Sequence, residues 1–168
     1  MPIDDAHDDL GTAQPPSRIG RFVRRLLLFE GFGYSNDPTD PGGATFCGIS
    51  RNANPSWPGW VKVDALLAAG KAPTYDDLPD ETEDFYGDNY WIPSGADKIS
   101  DSELSYLVFD TAVNFGVKRA IELLAIAQKP DVTTTLRLAR IRYRLGRVEQ
   151  RPDQLKYLHG WVRRDCEA

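Results

Sequence analysis

The 168-residue sequence is poor in cysteine and histidine, and both shortages limit its chemistry. Two cysteines, Cys47 and Cys166, are too few for a disulfide framework, so both are expected to be free thiols. A thiol nucleophile at Cys47 with His159 as its base would lack a third, orienting group. The other histidine, His7, lies near the start of the chain, which argues against a histidine-rich zinc site. We therefore expect neither a metal nor a cofactor.

Membrane-spanning and export signals are also missing from the sequence. No apolar stretch approaches the roughly 20 residues that a membrane helix needs, so membrane insertion is not expected. The first residues lack the basic and apolar regions of a secretory signal. We therefore expect synthesis in the cytoplasm, and action outside it would require delivery by another route.

Basic residues are outnumbered overall, with a net charge of −5, but they are concentrated near the C-terminus. Residues 1–16 contain four aspartates, no lysine and no arginine, which predicts a disordered acidic tail before a single domain at 17–168. Residues 129–168 contain ten Lys or Arg and five Asp or Glu. That segment could contact an anionic polymer, or it could be a solvated helical face. The acidic overall balance argues against nucleic acid as a partner.

The spacing of apolar residues predicts an all-α domain of six to seven helices, with room for only a small β-hairpin within residues 43–50. Ser17 is the expected N-cap of the first helix. Later helices are expected at about 64–69, 80–90, 102–116, 117–128, 133–145 and from 152 onward. The helix at 102–116 is apolar over most of its surface, so it should be the buried central helix. Asp110 and Asn114 share a face of it and need polar partners or a ligand.

Glu30 stands at the end of the first predicted helix. It follows Ile19 by eleven positions, which returns it to the apolar stripe at 100° per residue. We therefore expect its side chain to point inward, where a carboxylate could serve as a general acid. The alternative is a structural ion pair with Arg21, Arg24 or Arg25.

The loop that follows Glu30 concentrates residues that restrict or free the backbone. It contains Asp37-Pro38, Asp40-Pro41, Gly42-Gly43 and then Thr45. Its acidic residues do not have the spacing of a calcium loop. A loop carboxylate opposite Glu30 could hold an activated water, which is the arrangement of glycoside hydrolysis. Asp37 and Asp40 could equally form turns, and the Thr45 hydroxyl could bond to the backbone.

Several blocks of the sequence resemble one known family. The first comprises Glu30-Gly31, Tyr34-Ser35-Asn36-Asp37-Pro38, Asp40-Pro41-Gly42-Gly43-Ala44-Thr45 and Gly48-Ile49-Ser50. Others are Tyr90-Trp91-Ile92-Pro93, the segment 109–116 and the segment 158–164. Together they resemble glycoside hydrolase family 108, the N-acetylmuramidases of the lysozyme-like superfamily that are common as phage endolysins. Phe32 is an extra residue relative to the usual Glu-Gly-Gly-Tyr of that family.

The resemblance implies a lysozyme-like helical domain that cleaves the β-1,4 bond after N-acetylmuramic acid in peptidoglycan glycan strands. By the resemblance, Glu30 would be the catalytic acid. Asp40 and Thr45 would hold the attacking water, with Asp37 as the alternative to Asp40. The candidate substrate-binding residues are Tyr34, Trp57, Trp91 and Asn114.

The implied role is lysis of the bacterial wall by a monomeric lysozyme, either as a phage endolysin or as an antibacterial effector. A holin would release the first, and an immunity protein would accompany the second. Two alternatives remain open. A lytic transglycosylase would use Glu30 without a water-activating carboxylate, and a wall-binding module would bind without turnover.

Overall fold

The computed structural model describes residues 16–37, 42–127 and 131–167. Those residues contain seven α-helices and one three-stranded sheet. The helices are α1 Arg18–Glu30, α2 Gly59–Ala68, α3 Pro79–Tyr86, α4 Ser102–Phe115, α5 Val117–Ile126, α6 Val132–Gln150 and α7 Leu158–Glu167. The prediction of a helical domain with very little β structure is confirmed.

Helix α1 begins and ends where local sequence signals place it. Ser17 is the N-cap, and its Oγ accepts a hydrogen bond of 2.9 Å from the backbone N–H of Gly20. At the other end Gly31 has a φ of 91°, and its N–H donates to the carbonyl of Leu27 at 2.8 Å. The helix buries its apolar stripe in the core with Phe22, Val23, Leu26 and Leu27. Glu30 is thereby fixed as the last residue of α1.

Helix α4 is the buried central helix that the sequence predicts. Every residue from 105 to 112 is buried, and the helix packs against α5 and α6. Its N-cap is Asp101 rather than the neighbouring Ser100, and the Asp101 carboxylate accepts the N–H of Leu104 at 2.7 Å. An aspartate in that position can cap as well as serine.

The small sheet is antiparallel in the order β1-β2-β3, formed by β1 Tyr34–Ser35, β2 Thr45–Phe46 and β3 Ile49–Ser50. The predicted hairpin corresponds to β2 and β3, whereas β1 was not predicted. A two-residue turn, Cys47-Gly48, joins β2 to β3 with φ values of 49° and 78°. Positive φ at both positions is the geometry that such hairpin turns require.

Some predicted boundaries are wrong. Helix α2 begins at Gly59 rather than near residue 64, and α3 is followed by a π-helical turn at Gly87–Trp91. Helix α6 continues through Gly146, since a glycine inside a helix costs only about 1 kcal/mol and packing overrides it. The expected helix from residue 152 is a 3₁₀ turn, Pro152–Tyr157, followed by α7. The expected tail lies outside the described residues except for Pro16, and so does Asp40.

Within the described ranges no helix is both long and apolar enough to span a bilayer.

Candidate active site around Glu30

Glu30 lies at the surface, at the end of α1. Its side chain is 30% exposed and packs against the turn at Gly48, so it is partly buried at the edge of the core rather than pointing fully inward. In the same turn Leu27 is fully buried, whereas Leu28 and Phe29, on other faces of the helix, are 73% and 37% exposed. A carboxylate in this position is accessible to a substrate.

Arg164 of helix α7 is the ion-pair partner of Glu30. Its Nη1 lies 2.6 Å from the Glu30 Oε1, although 134 residues separate the two in the chain. The same guanidinium lies 5.0 Å from the ring centroid of Phe29. The arginines expected as structural partners bind elsewhere: Arg21 to the carbonyl of Pro16, Arg24 to Asp76 and Arg25 to Glu103.

Asp110 holds Arg164 from the other side. Its Oδ1 accepts hydrogen bonds of 2.8 and 3.2 Å from Arg164, and its Oδ2 lies 2.6 Å from Nη2 of Arg140. Burial alone would raise the pKa of Asp110, but the charges of Arg140 and Arg164 hold it below its usual value. The prediction that this buried aspartate needs polar partners is confirmed, and two arginines fill the role.

A second buried carboxylate, Asp165, anchors α7. Its Oδ1 accepts from Arg140 at 2.7 and 3.0 Å, and its Oδ2 accepts from Arg144 at 2.6 Å. Asp165 and Arg140 are fully buried, and Arg144 is 5% exposed. Arg140 also donates to Thr111 of α4 at 3.2 Å. Because Asp165 adjoins Arg164, this network fixes the guanidinium that reaches Glu30.

The turn between β2 and β3 packs on another side of Glu30. A Cβ added at Gly48 would lie 3.1 Å from Cβ of Glu30 and 2.6 Å from the hydroxyl oxygen of Tyr86. That hydroxyl donates to the carbonyl of Cys47 at 2.8 Å. Burial, and then the charge of Glu30, raise the pKa values of Tyr86 and Tyr90. Both phenols therefore stay neutral beside the carboxylate.

Of the two carboxylates predicted to hold the attacking water, only Asp37 lies within the described residues. Asp40 lies outside the described residues. Asp37 is exposed and follows β1 by two residues, at the end of the β1–β2 ribbon. Its exposure would allow contact with a substrate.

Thr45 lies in β2 opposite Ser35 and is half-buried. Its hydroxyl donates to the carbonyl of Gly43 at 3.2 Å, the backbone bond that was the alternative to a catalytic role. Thr45 precedes Gly48 by three residues, which span at most about 11 Å. Since Gly48 contacts Glu30, Thr45 belongs to the same region.

Two of the predicted substrate-binding residues are tryptophans, and both pack against the core. Trp57 is 7% exposed and stacks on Phe46 with ring centroids 5.9 Å apart. Such burial leaves little of the Trp57 ring for contact with a substrate. Trp91 is half-buried and packs edge-on against Phe22 at 6.5 Å. Its Nε1 has no hydrogen-bond partner among the described residues.

Tyr34 and Asn114 are both half-buried. Tyr34 lies in β1 opposite Phe46 and packs on the core. The Nδ2 of Asn114 donates to the backbone carbonyl of Asp110 at 2.8 Å, so this amide is used within α4. Neither residue has a side chain shown in contact with Glu30.

Sequence reasoning missed Gly48, Tyr86 and Arg164 as neighbours of Glu30. Two of them, Gly48 and Arg164, stand in sequence blocks that carry the family resemblance, which was the available signal. In the described part of the chain, no group of three or more His, Cys, Asp or Glu side chains could hold a metal ion.

Comparison with known proteins identifies the family and the fold. The sequence model of the family "Glycosyl hydrolase 108" matches residues 23–116, more than half of the chain. The solved structure of Brucella abortus SagA superposes with a TM-score of 0.59 and 19% sequence identity, over 89% of this chain and 90% of that one. The two proteins therefore share a helical fold. No curated protein matches the sequence. The chain is a member of the glycosyl hydrolase 108 family, and therefore a glycoside hydrolase.

Proposed function

We propose that this protein hydrolyses the β-1,4 bond between N-acetylmuramic acid and N-acetylglucosamine in peptidoglycan, with Glu30 as the catalytic acid. The observation that carries the proposal is the placement of Glu30. Its carboxylate is accessible, is bound by Arg164, and is packed against the turn at Gly48. Family membership supports the reaction class, and the substrate follows from the resemblance described above.

In the proposed reaction Glu30 protonates the oxygen that leaves when the bond to the anomeric carbon breaks. A water attacks that carbon from the opposite face and transfers its proton to a second carboxylate. We assign the second carboxylate to Asp40, with Asp37 as the alternative, and assign Thr45 to holding the water. This is the inverting mechanism, for which the two carboxyl groups would lie about 6.5–9.5 Å apart.

Arg164 has a defined part in this cycle. The ion pair is made by the ionised form of Glu30, whereas a general acid must carry a proton when the bond breaks. Glu30 therefore exchanges its contact with Arg164 for one with the leaving oxygen. Arg164 stays in place meanwhile, because Asp110 continues to bind it.

The proposed biological role is lysis of the bacterial wall by a monomer, as a phage endolysin or as an antibacterial effector. The partner is the glycan strand, with a holin or an immunity protein according to the role. The net charge of −5 argues against nucleic acid as a partner.

The test is mass spectrometry of the products released from purified peptidoglycan. Glu30→Gln should lower the rate by about 100-fold or more, the effect of losing a general acid. Glu103→Gln is the matched control, since Glu103 also pairs with an arginine, Arg25, at 2.9 Å. The control should release reducing N-acetylmuramic ends at the wild-type rate.

The same experiment separates the alternative reactions. Asp40→Asn and Asp37→Asn identify the second carboxylate by which of them loses activity. Anhydro-muramic ends from the wild type would show a lytic transglycosylase instead of a hydrolase. Binding to the wall without any soluble product would leave a non-catalytic wall-binding module.

A further inference from the structure

A groove of about 450 Å³ runs between the end of α1 and helix α7, beside the ion pair of Glu30 and Arg164. We propose that this groove binds the peptide stem of the muramoyl sugar whose bond is cleaved, an inference that rests on the proposed function. The groove is lined by Leu28, Phe29, Gly160, Arg163, Arg164 and Glu167.

The groove lies close to the proposed catalytic acid. Arg164 both lines the groove and binds Glu30, and Phe29 immediately precedes Glu30 in the chain. In peptidoglycan the stem is attached to the lactyl group of the muramoyl sugar, the sugar whose anomeric carbon is attacked. A stem on that sugar must leave the active site within a few bond lengths of the catalytic acid. This groove is separated from that acid by the Arg164 side chain alone.

The side chains that line the groove suit the chemistry of a stem peptide. Leu28 and Phe29 expose apolar side chains that the core does not use, at 73% and 37% exposure. Neighbouring apolar surface of this kind, bordered by charge, is typical of a binding site. On the other wall Arg163 and Glu167 present opposite charges 2.9 Å apart. A stem peptide offers methyl groups, carboxylates and an amino group, so each lining residue has a complementary partner.

The groove has room for a peptide at Gly160. A Cβ added at Gly160 would meet no atom within 4 Å, so the glycine leaves the floor of the groove open. The volume of about 450 Å³ falls within the range of 300–1,000 Å³ usual for ligand pockets. Gly160→Leu would extend an apolar side chain from a Cβ that meets no protein atom, and leucine also favours the helix over glycine.

The experiment compares two substrates and two leucine variants of the full chain. One substrate is intact peptidoglycan, and the other is the same glycan with its stems removed by an amidase. Gly160→Leu should lower the ratio of the intact rate to the stripped rate by about tenfold, the effect of losing one well-buried contact. Gly146→Leu is the control, because Gly146 also lies in a helix with open space around it. Its ratio should match the wild type.

A direct binding measurement completes the test. Isothermal titration with a soluble muramoyl tripeptide on the Glu30→Gln protein should show binding that Gly160→Leu or Arg163→Ala weakens by about tenfold. An unchanged rate ratio, or tripeptide affinity unaffected by Gly160→Leu, would overturn the stem site even if the wild type hydrolyses peptidoglycan. Tripeptide binding without any hydrolysis would retain the stem site and reject the proposed reaction.

Discussion

Replacing Asp110 with asparagine tests whether the buried charge network stabilises this fold. Asp110 is fully buried and binds Arg140 and Arg164 at 2.6 and 2.8 Å. Asparagine has nearly the same shape but no charge, so both guanidinium groups lose their shared counter-ion. Removing one partner of a buried ion pair costs about 3–5 kcal/mol in unfolding free energy. For a chain of this length that corresponds to a fall in Tm of about 6–20 °C.

The assay is thermal and urea unfolding at pH 7, followed by circular dichroism, for wild type, Asp110→Asn and Asp153→Asn. Asp153 pairs with Arg151, but both side chains are about two-thirds exposed, at 64% and 65%. Exposed pairs of this kind contribute little, so the Asp153 variant should unfold at the wild-type midpoint. If Asp110→Asn also did so, the network would not be a source of stability.

The effect of Asp110→Asn should depend on pH in one direction. The arginines hold the folded-state pKa of Asp110 below its usual value of 3.8. A lowered carboxyl pKa contributes stability above the unfolded-state pKa and loses it as the pH falls through the folded-state pKa. The stability difference between wild type and variant should therefore be constant from pH 7 to about 5 and shrink on further acidification. A difference that grew in acid would contradict the assignment of an ionised Asp110.

Three further outcomes are expected. Gly48→Ala places a methyl group 3.1 Å from Cβ of Glu30, at a backbone φ of 78°. The substitution should lower the free energy of unfolding in urea by about 1–3 kcal/mol and should reduce peptidoglycan cleavage. Wild-type activity of this variant would contradict the contact between Gly48 and Glu30. Burial raises the pKa of the Cys47 thiol to about 12, whereas Cys166 is exposed. Iodoacetamide at pH 8 should therefore label only Cys166 in the native protein and both thiols after unfolding, which mass spectrometry would detect. Ser17→Ala should lower the unfolding free energy by about 1 kcal/mol through loss of the α1 cap, so an unchanged urea midpoint would show that the cap is dispensable.

The features predicted correctly from the sequence are those that short segments determine. The N-cap at Ser17 and the apolar stripe behind it define α1 within a few residues. The central helix α4 was recognisable because apolar residues cover most of its surface. The need of Asp110 for a partner followed from its position on a buried helix, without any knowledge of which residue would supply it.

The partner of Glu30 could not be predicted in the same way. The helical-wheel argument places Glu30 on the face of Leu26 and Leu27, both fully buried, but it does not show which residues cover the carboxylate. The groups that contact Glu30 come from Gly48 and Arg164, 18 and 134 residues away in the sequence. Residue spacing contains no information on contacts of that range. The environment of Trp57 was undetermined for the same reason, because its stacking on Phe46 joins a loop to the sheet.

The C-terminal helices are part of the candidate active site, although the family match ends at residue 116. Charges of alternating sign run from Asp165 through Arg140 and Asp110 to Arg164 and Glu30, each in contact with the next. Loss of α6 or α7 would leave Asp110 buried with at most one counter-ion, which is far costlier than loss of an exposed pair. The network thus couples stability of the fold to the position of Glu30. Helices α6 and α7 should therefore be indispensable to folding and to activity alike.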